Sequence, residues 1–302
     1  MHYTISISEK VRFRLIITAL ILLILLGIGA MLYPMVSSIY SESVRSEIHS
    51  QYQDEISNSD VQELADLKAN AEEYNRKLFA GEISILEPEK NGYFDQLQMS
   101  NGSQIMAYIQ IPKIHVKLPV FHGVGSDALD AGCGHMPQSS LPIGGKNTHS
   151  VISAHTGMAS AAMFSDLPLL APGDTFSIQV LGKTITYEIQ SESDIQTVLP
   201  VEVQAVQLKN GEDLCTLVTC VPFGVNSHRL LVTGHRIPTP ESSETSPTIP
   251  QITENQESLW IQQYLKSIKI GLCILIVAPL CSIVIFHFLS KKKGRYEHTE
   301  RG

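Results

Sequence analysis

A chain of 302 residues has room for one large or two small domains, and 43% of it is hydrophobic, enough to bury a core. Only 17% is charged, which is low for a soluble protein and points to part of the chain lying in lipid. The net charge of −8, without a basic stripe, argues against nucleic-acid binding, because phosphate recognition needs clustered Lys and Arg.

Residues 1–14 form a short N-terminus with Lys10, Arg12 and Arg14. Residues 15–33 carry no charge and approach the roughly 20 apolar residues that a bilayer requires, which predicts a transmembrane helix over 15–36. A cleaved signal peptide is the competing reading, with Gly27-Ile28-Gly29 as a weak cleavage signal. The run exceeds a usual signal-peptide core, so a retained anchor is expected.

Residues 37–104 are expected to form a helical extension. Asp60 with Glu63 three positions on suggests a helix start, and Val61, Leu64, Leu67, Ala71, Tyr74 and Leu78 make one apolar stripe. Residues 82–104 read as loop. From 105 to 237 short apolar runs alternate with turn signals at about ten-residue spacing, the pattern of a barrel or sandwich of strands. Gly182-Lys183 marks a hairpin turn, and a short helical turn is expected over 159–167.

Residues 238–265 form a linker rich in Pro, Ser and Thr that cannot bury a core. A second apolar run predicts a transmembrane helix over 266–290, followed by a basic tail, 291–302, with Lys291, Lys292, Lys293 and Arg295. Positive charge flanks both spans on one side, so both ends should be cytoplasmic and the residues between them outside.

Five cysteines (Cys133, Cys215, Cys220, Cys273 and Cys281) show no CxxC or Cys/His spacing that would suggest zinc. In the run Leu214 to Cys220, residues two apart share a strand face, so Cys220 groups with Val218 and Thr216, and Cys215 with Leu217 and Thr219. Cys220 stands at the strand end before a turn, where a thiol can meet a substrate; a buried core cysteine is the competing reading. Arg229 opens the next strand. Beside a reactive thiol it would offer a fixed fork of donors to a developing oxyanion. Of eleven histidines, His155 ends a strand before Thr156-Gly157, with His122 and His135 as rivals for a base.

Thr216-Leu217-Val218-Thr219-Cys220 followed by Arg229 resembles the TLxTC…R signature of the sortase family. Residues 151–157 resemble the strand bearing that family's catalytic histidine. The stretches 109–123, 134–150, 163–167, 172–176 and 223–234 resemble the pilus-building class C subgroup. The resemblance implies a mainly-β fold: a closed eight-stranded sortase-type β-barrel with short helices, an N-terminal helical extension and two flanking transmembrane helices. It also implies a cysteine transpeptidase with Cys220 as nucleophile, His155 as acid/base and Arg229 as oxyanion partner, with no metal or organic cofactor.

The implied substrates are secreted surface or pilin proteins bearing LPxTG-like signals. The implied acceptor is an amine, a pilin lysine or a cell-wall precursor. Anchoring of single proteins to the wall, a hydrolytic cysteine protease and a non-enzymatic tethered β-domain remain the alternatives. Class C members typically carry an Asp-Pro-aromatic lid triplet; this chain offers Glu87-Pro88-Glu89, with Tyr93 and Phe94 further on, so the lid is either degenerate or absent.

Overall fold

The computed structural model describes residues 9–99, 104–158, 161–205, 208–240, 258–262, 264–274 and 277. The chain divides into two compact units: residues 38–260 form one, and the two ends, 1–37 and 261–302, form the other.

In the larger unit, nine strands make one sheet: β1 (Ile105–Ile111), β2 (Val116–His122), β3 (Cys133–His135), β4 (Thr148–Ser153), β5 (Thr175–Val180), β6 (Lys183–Glu188), β7 (Ile195–Val198), β8 (Asp213–Val221) and β9 (His228–Ile237). Their order is β6-β5-β1-β2-β3-β4-β8-β9-β7, and β6 also pairs with β9. Eight strands therefore close into the expected barrel. The ninth, β7, shares one edge of β9 with β6: β7 covers Arg229 to Val232 and β6 covers His235 to Ile237. Closure leaves the ring no free edge, the usual liability of a sheet.

The hairpin between β5 and β6 turns on Leu181 and Gly182, both with positive φ (47° and 74°), one position earlier than Gly182-Lys183. Two left-handed residues match the twist of the flanking strands. Inside the barrel, Phe176 and Tyr187 stack with centroids 5.5 Å apart. Gly234 makes room for them, since a Cβ there would come within 2.6 Å of Phe176. The short helical turn falls at Leu167–Leu169.

Two helices lead into the barrel. α1 (Glu9–Asn58) runs unbroken, with Pro34 inside it. Its last turns lay Tyr52 and Ile56 against Ile105 and Tyr108. α2 (Val61–Phe79) starts where expected, because Asp60 Oδ1 accepts from Gln62 N at 3.0 Å. Ala71, Tyr74 and Leu78 are buried, and Leu64 and Leu67 pack at the margin of the core. Val61 does not join the stripe: at the first position of the helix it projects past the barrel and is 82% exposed. Each large apolar side chain buried in this way contributes about 1.5–3 kcal/mol.

In the other unit, α1 is the one helix among the described residues that is long and apolar enough to cross a membrane. Residues 259–262, 264–274 and 277 are helical, and the Tyr264 hydroxyl donates to the Met31 carbonyl within this unit. Linker residues 241–257 and the expected second span from 278 onward lie outside the described residues.

Candidate active site

Strand β8 is central, with β4 parallel on one side and β9 antiparallel on the other. The register sets three consecutive pairs of β8 with β9 on one face: Thr216 with Thr233, Val218 with Leu231, and Cys220 with Arg229. Directly opposed residues hold their Cβ atoms about 4.5–5.5 Å apart. On the other side, Val151 pairs with Thr216 and Ser153 with Val218. The strand contact then continues past β4: Ala154 N donates to Val218 O at 3.1 Å, and Thr219 Oγ1 donates to Ala154 O at 2.9 Å. His155 is the next residue after Ala154, on the β4 side of β8. Across this end of the sheet the order is β4, which leads into His155, then β8 with Cys220, then β9 with Arg229.

Below them that face is closed. Val151, Val218 and Leu231 form a small apolar cluster, and Thr216 Oγ1 bonds both His149 Nε2 (2.7 Å) and Thr233 Oγ1 (2.8 Å). Cys220 is half-buried, whereas Cys215, on the opposite face, is wholly buried with Leu217 in the main core. Burial, reinforced by Asp213 and Cys133, pushes the Cys215 thiol well above its ordinary pKa. A thiol held neutral and out of solvent is a poor nucleophile, so β8 offers one usable sulfur.

The turn between β8 and β9 is tied down from within. Val225 N and Asn226 N both donate to Pro222 O, and Arg229 Nη1 donates to the carbonyls of Asn226 and His228, each at 3.1 Å. These bonds take one end of the guanidinium and hold the fork in place. Phe223 on the same turn lies against Gly157 beyond His155: a Cβ there would sit 3.4 Å from its ring. That contact joins the loop after the thiol to the loop after the histidine. His155 Nε2 also lies 3.5 Å from Asp130 Oδ1 on the short helix α3 (Ser126–Ala131), with side-chain exposures of 37% and 66%. Asp130 has no signal in the sequence, and Phe223 is marked there only as part of the turn after Cys220; the fold brings them to His155 and its loop.

The rival histidines have structural tasks. His135 is fully buried, and burial pulls its pKa down to about 3. Its Nε2 lies 2.8 Å from Ser140 O and must carry the proton, because a carbonyl only accepts; Nδ1 then accepts from the Tyr93 hydroxyl at 2.9 Å. His122 Nε2 donates to Gln96 O at 2.7 Å, and burial lowers its pKa as well. Both rings hold the segment between α2 and β1. Tyr93 is its plug: the ring stacks on His135, and the hydroxyl accepts from Gly123 N at 3.0 Å.

Glu87-Pro88-Glu89 forms an exposed turn of that segment. Lys90 N and Asn91 N donate to Glu87 O, and Lys90 Nζ pairs with Glu87 Oε1 at 2.6 Å. These bonds are internal to the turn. The segment is fastened to the barrel six residues after Glu87, at Tyr93, whose backbone N–H is held by Asn91 Oδ1.

Comparison with known proteins gives the family. A family model described as "Sortase domain" matches residues 109–237. The crystal structure of sortase C1 from Streptococcus agalactiae is 39% identical, with a TM-score of 0.58 over 63% of this chain and 98% of that one. Sortase C of Streptococcus pneumoniae, whose structure is described as giving insight into catalysis and pilin substrate specificity, is 36% identical, with a TM-score of 0.57 over 64% of this chain and 97% of that one. Among curated relatives, "Sortase A" of Streptococcus agalactiae is 31% identical over 125 residues, 40% of this chain and 49% of that protein. The chain thus spans about half the length of that relative.

Proposed function

Because the chain belongs to the sortase family and sits with its class C members, we propose that it is a membrane-tethered cysteine transpeptidase that joins LPxTG-like sorting signals to an amine, a pilin lysine in the leading reading. The observation that supports this most is the strand register: Cys220 lies opposite Arg229 on β9, while β4, which leads into His155, runs parallel to β8 on its other side. The pilin lysine is favoured by the likeness to class C enzymes, one of which is described through its pilin substrates.

In the proposed reaction the Cys220 Sγ thiolate attacks the threonine carbonyl carbon of the signal. The carbonyl oxygen becomes negative and takes N–H donors from Arg229, whose fork is already oriented by the turn carbonyls. The Thr–Gly C–N bond breaks as His155 gives its proton to the leaving amine, leaving a thioester on Cys220. The incoming amine attacks the thioester and loses a proton to His155, and the C–S bond breaks to return the thiolate. Asp130 Oδ1, 3.5 Å from His155 Nε2, lies where it can orient the ring.

The proposed topology is a two-pass hairpin with residues from about 37 to 265 outside, which the basic clusters beyond both apolar runs support. Glu87-Pro88-Glu89 is proposed as a divergent lid hinged at Tyr93.

The test offers the full chain an LPxTG-like peptide with either a pilin-lysine peptide or a peptidoglycan cross-bridge amine, and identifies products by mass. An isopeptide to the lysine, dependent on added amine, is expected. Preference for the cross-bridge amine would move the protein to wall anchoring. Release of free acid at a rate indifferent to either amine would make it a protease.

A further inference from the structure

We propose that Trp260 is a positioning residue for His155, acting through the loop that follows it. The proposal rests on His155 serving as the acid/base.

The loop between β4 and β5 doubles back on itself. Its inner arm is fixed in the barrel: Phe164 is fully buried, and Ser165 and Asp166 are nearly so. The outer arm, 155–158, hangs from the inner one. Phe164 N donates to His155 O at 3.0 Å, and Gly157 N donates to Ser165 Oγ at 3.0 Å. His155 therefore takes its backbone position from this fold of the loop, one residue beyond its contact with β8.

Trp260, the sole tryptophan of the chain, staples both arms. Its indole Nε1–H donates to Met158 O at 3.0 Å, and its backbone N–H donates to Asp166 Oδ1 at 3.1 Å. Each bond answers a need. A carbonyl on a loop arm exposed at Gly157 gains a fixed donor, and a carboxylate buried to 6% exposure requires donors to remain tolerable. Asp166 also stands at the start of helical residues 259–262, where a carboxylate is favourable.

On the opposite side the outer arm meets Phe223 from the thiol's own turn. Held between Phe223 and Trp260, the arm has little freedom to rotate His155 away from Cys220. Trp260 lies a hundred residues beyond this loop in sequence, where the Pro/Ser/Thr linker gives way to the apolar run.

The test uses the full chain in detergent micelles, with amine-dependent transfer of an LPxTG-like peptide followed across pH. Trp260→Ala should lower kcat by roughly 10-fold with KM little changed, short of the roughly 10²-fold that an ångström of misplacement can cost. Trp260→Phe keeps the ring and loses the Nε1–H donor, and should fall between wild type and the alanine variant. The pH limb that disappears in His155→Ala should move in Trp260→Ala. In a His155→Ala background the tryptophan change should cost nothing further, because independent effects add and coupled ones do not.

An equal loss in both backgrounds would assign Trp260 to stability or placement at the membrane, and would overturn the proposal. Tryptophan emission reads docking directly: a blue-shifted, quencher-shielded signal is expected in wild type and in Cys220→Ala alike, and a fully solvated indole would also overturn it. Full activity of His155→Ala would instead sink the underlying mechanism, while the emission would still report whether the indole is seated.

Discussion

Strand β8 carries two thiols five positions apart, and the barrel gives them opposite fates. Cys215 faces inward among Leu217, Phe176 and Tyr187, where burial keeps it neutral. Cys220 faces the other way at the strand's end, half open and opposite Arg229. The histidines repeat the contrast. His135 and His122 are locked by Tyr93, Ser140 and Gln96, while the half-exposed ring of His155 lies 3.5 Å from Asp130. Residue type is the same in each pair; reactivity follows from strand parity and distance from the rim.

The sharpest break of that comparison is Cys220→Ala, which should abolish both thioester trapping and transfer to amine, measured by mass and by gel; residual turnover would return the nucleophile to an open question. Next in size, His155→Ala should cost about 10²–10⁴-fold in kcat/KM, the usual worth of general acid–base work. His135→Ala should leave the chemistry intact per folded molecule and lower unfolding free energy by about 1–3 kcal/mol through unpaired buried partners, read from denaturant titration. The opposite result would exchange the two histidines.

Arg229→Ala should lose about 10²–10³-fold, as for removal of an oxyanion donor. Arg229→Lys should recover part of that, because an ammonium supplies charge without the planar fork. A fully active lysine variant would reduce Arg229 to a point charge.

Acid provides a smaller effect. Unfolded His135 takes up a proton near pH 6.5, whereas folded His135 stays neutral down to about 3. The unfolded chain thus binds more protons in that window. Stability is present in full above about 6.5 and is lost as pH falls towards 3, by up to about 1.4 kcal/mol per pH unit. Unfolding free energies from urea titration should fall more steeply between pH 6 and 4 for wild type than for His135→Gln, by roughly 1 kcal/mol per pH unit. Equal slopes would mean the ring is less shielded than its burial indicates. Smallest of all, Cys215→Ala should retain turnover and cost about 1 kcal/mol of stability, in line with roughly 0.8 kcal/mol per buried methylene-sized group.

Much of this was legible from local pattern. Alternation along β8 placed Cys220 with Val218 and Thr216 and against Cys215, because side chains of a strand point to opposite faces in turn. Asp60 marked the start of α2 through a hydrogen bond that spans two residues. Such features depend on neighbours in the chain. Val61 misled because periodicity does not say where the partner surface ends. The hairpin turn shifted to Leu181-Gly182 because its register is set by β5 pairing with β6.

The sequence by itself determined that a strand ends in a thiol, that an arginine opens the following strand, that a histidine closes another, and that these lie between two apolar runs. Motif likeness then named a family. Only the tertiary structure decided that β4, which leads into His155, lies parallel to β8, and that His122 and His135 are consumed by the segment carrying Tyr93. Asp130 and Trp260 reach His155 and its loop from distant parts of the chain, and Phe223 reaches that loop from the thiol's own turn. The reason is physical. Strand parity is a property of consecutive residues, whereas pairing between remote strands and the burial of a ring depend on how the whole sheet closes.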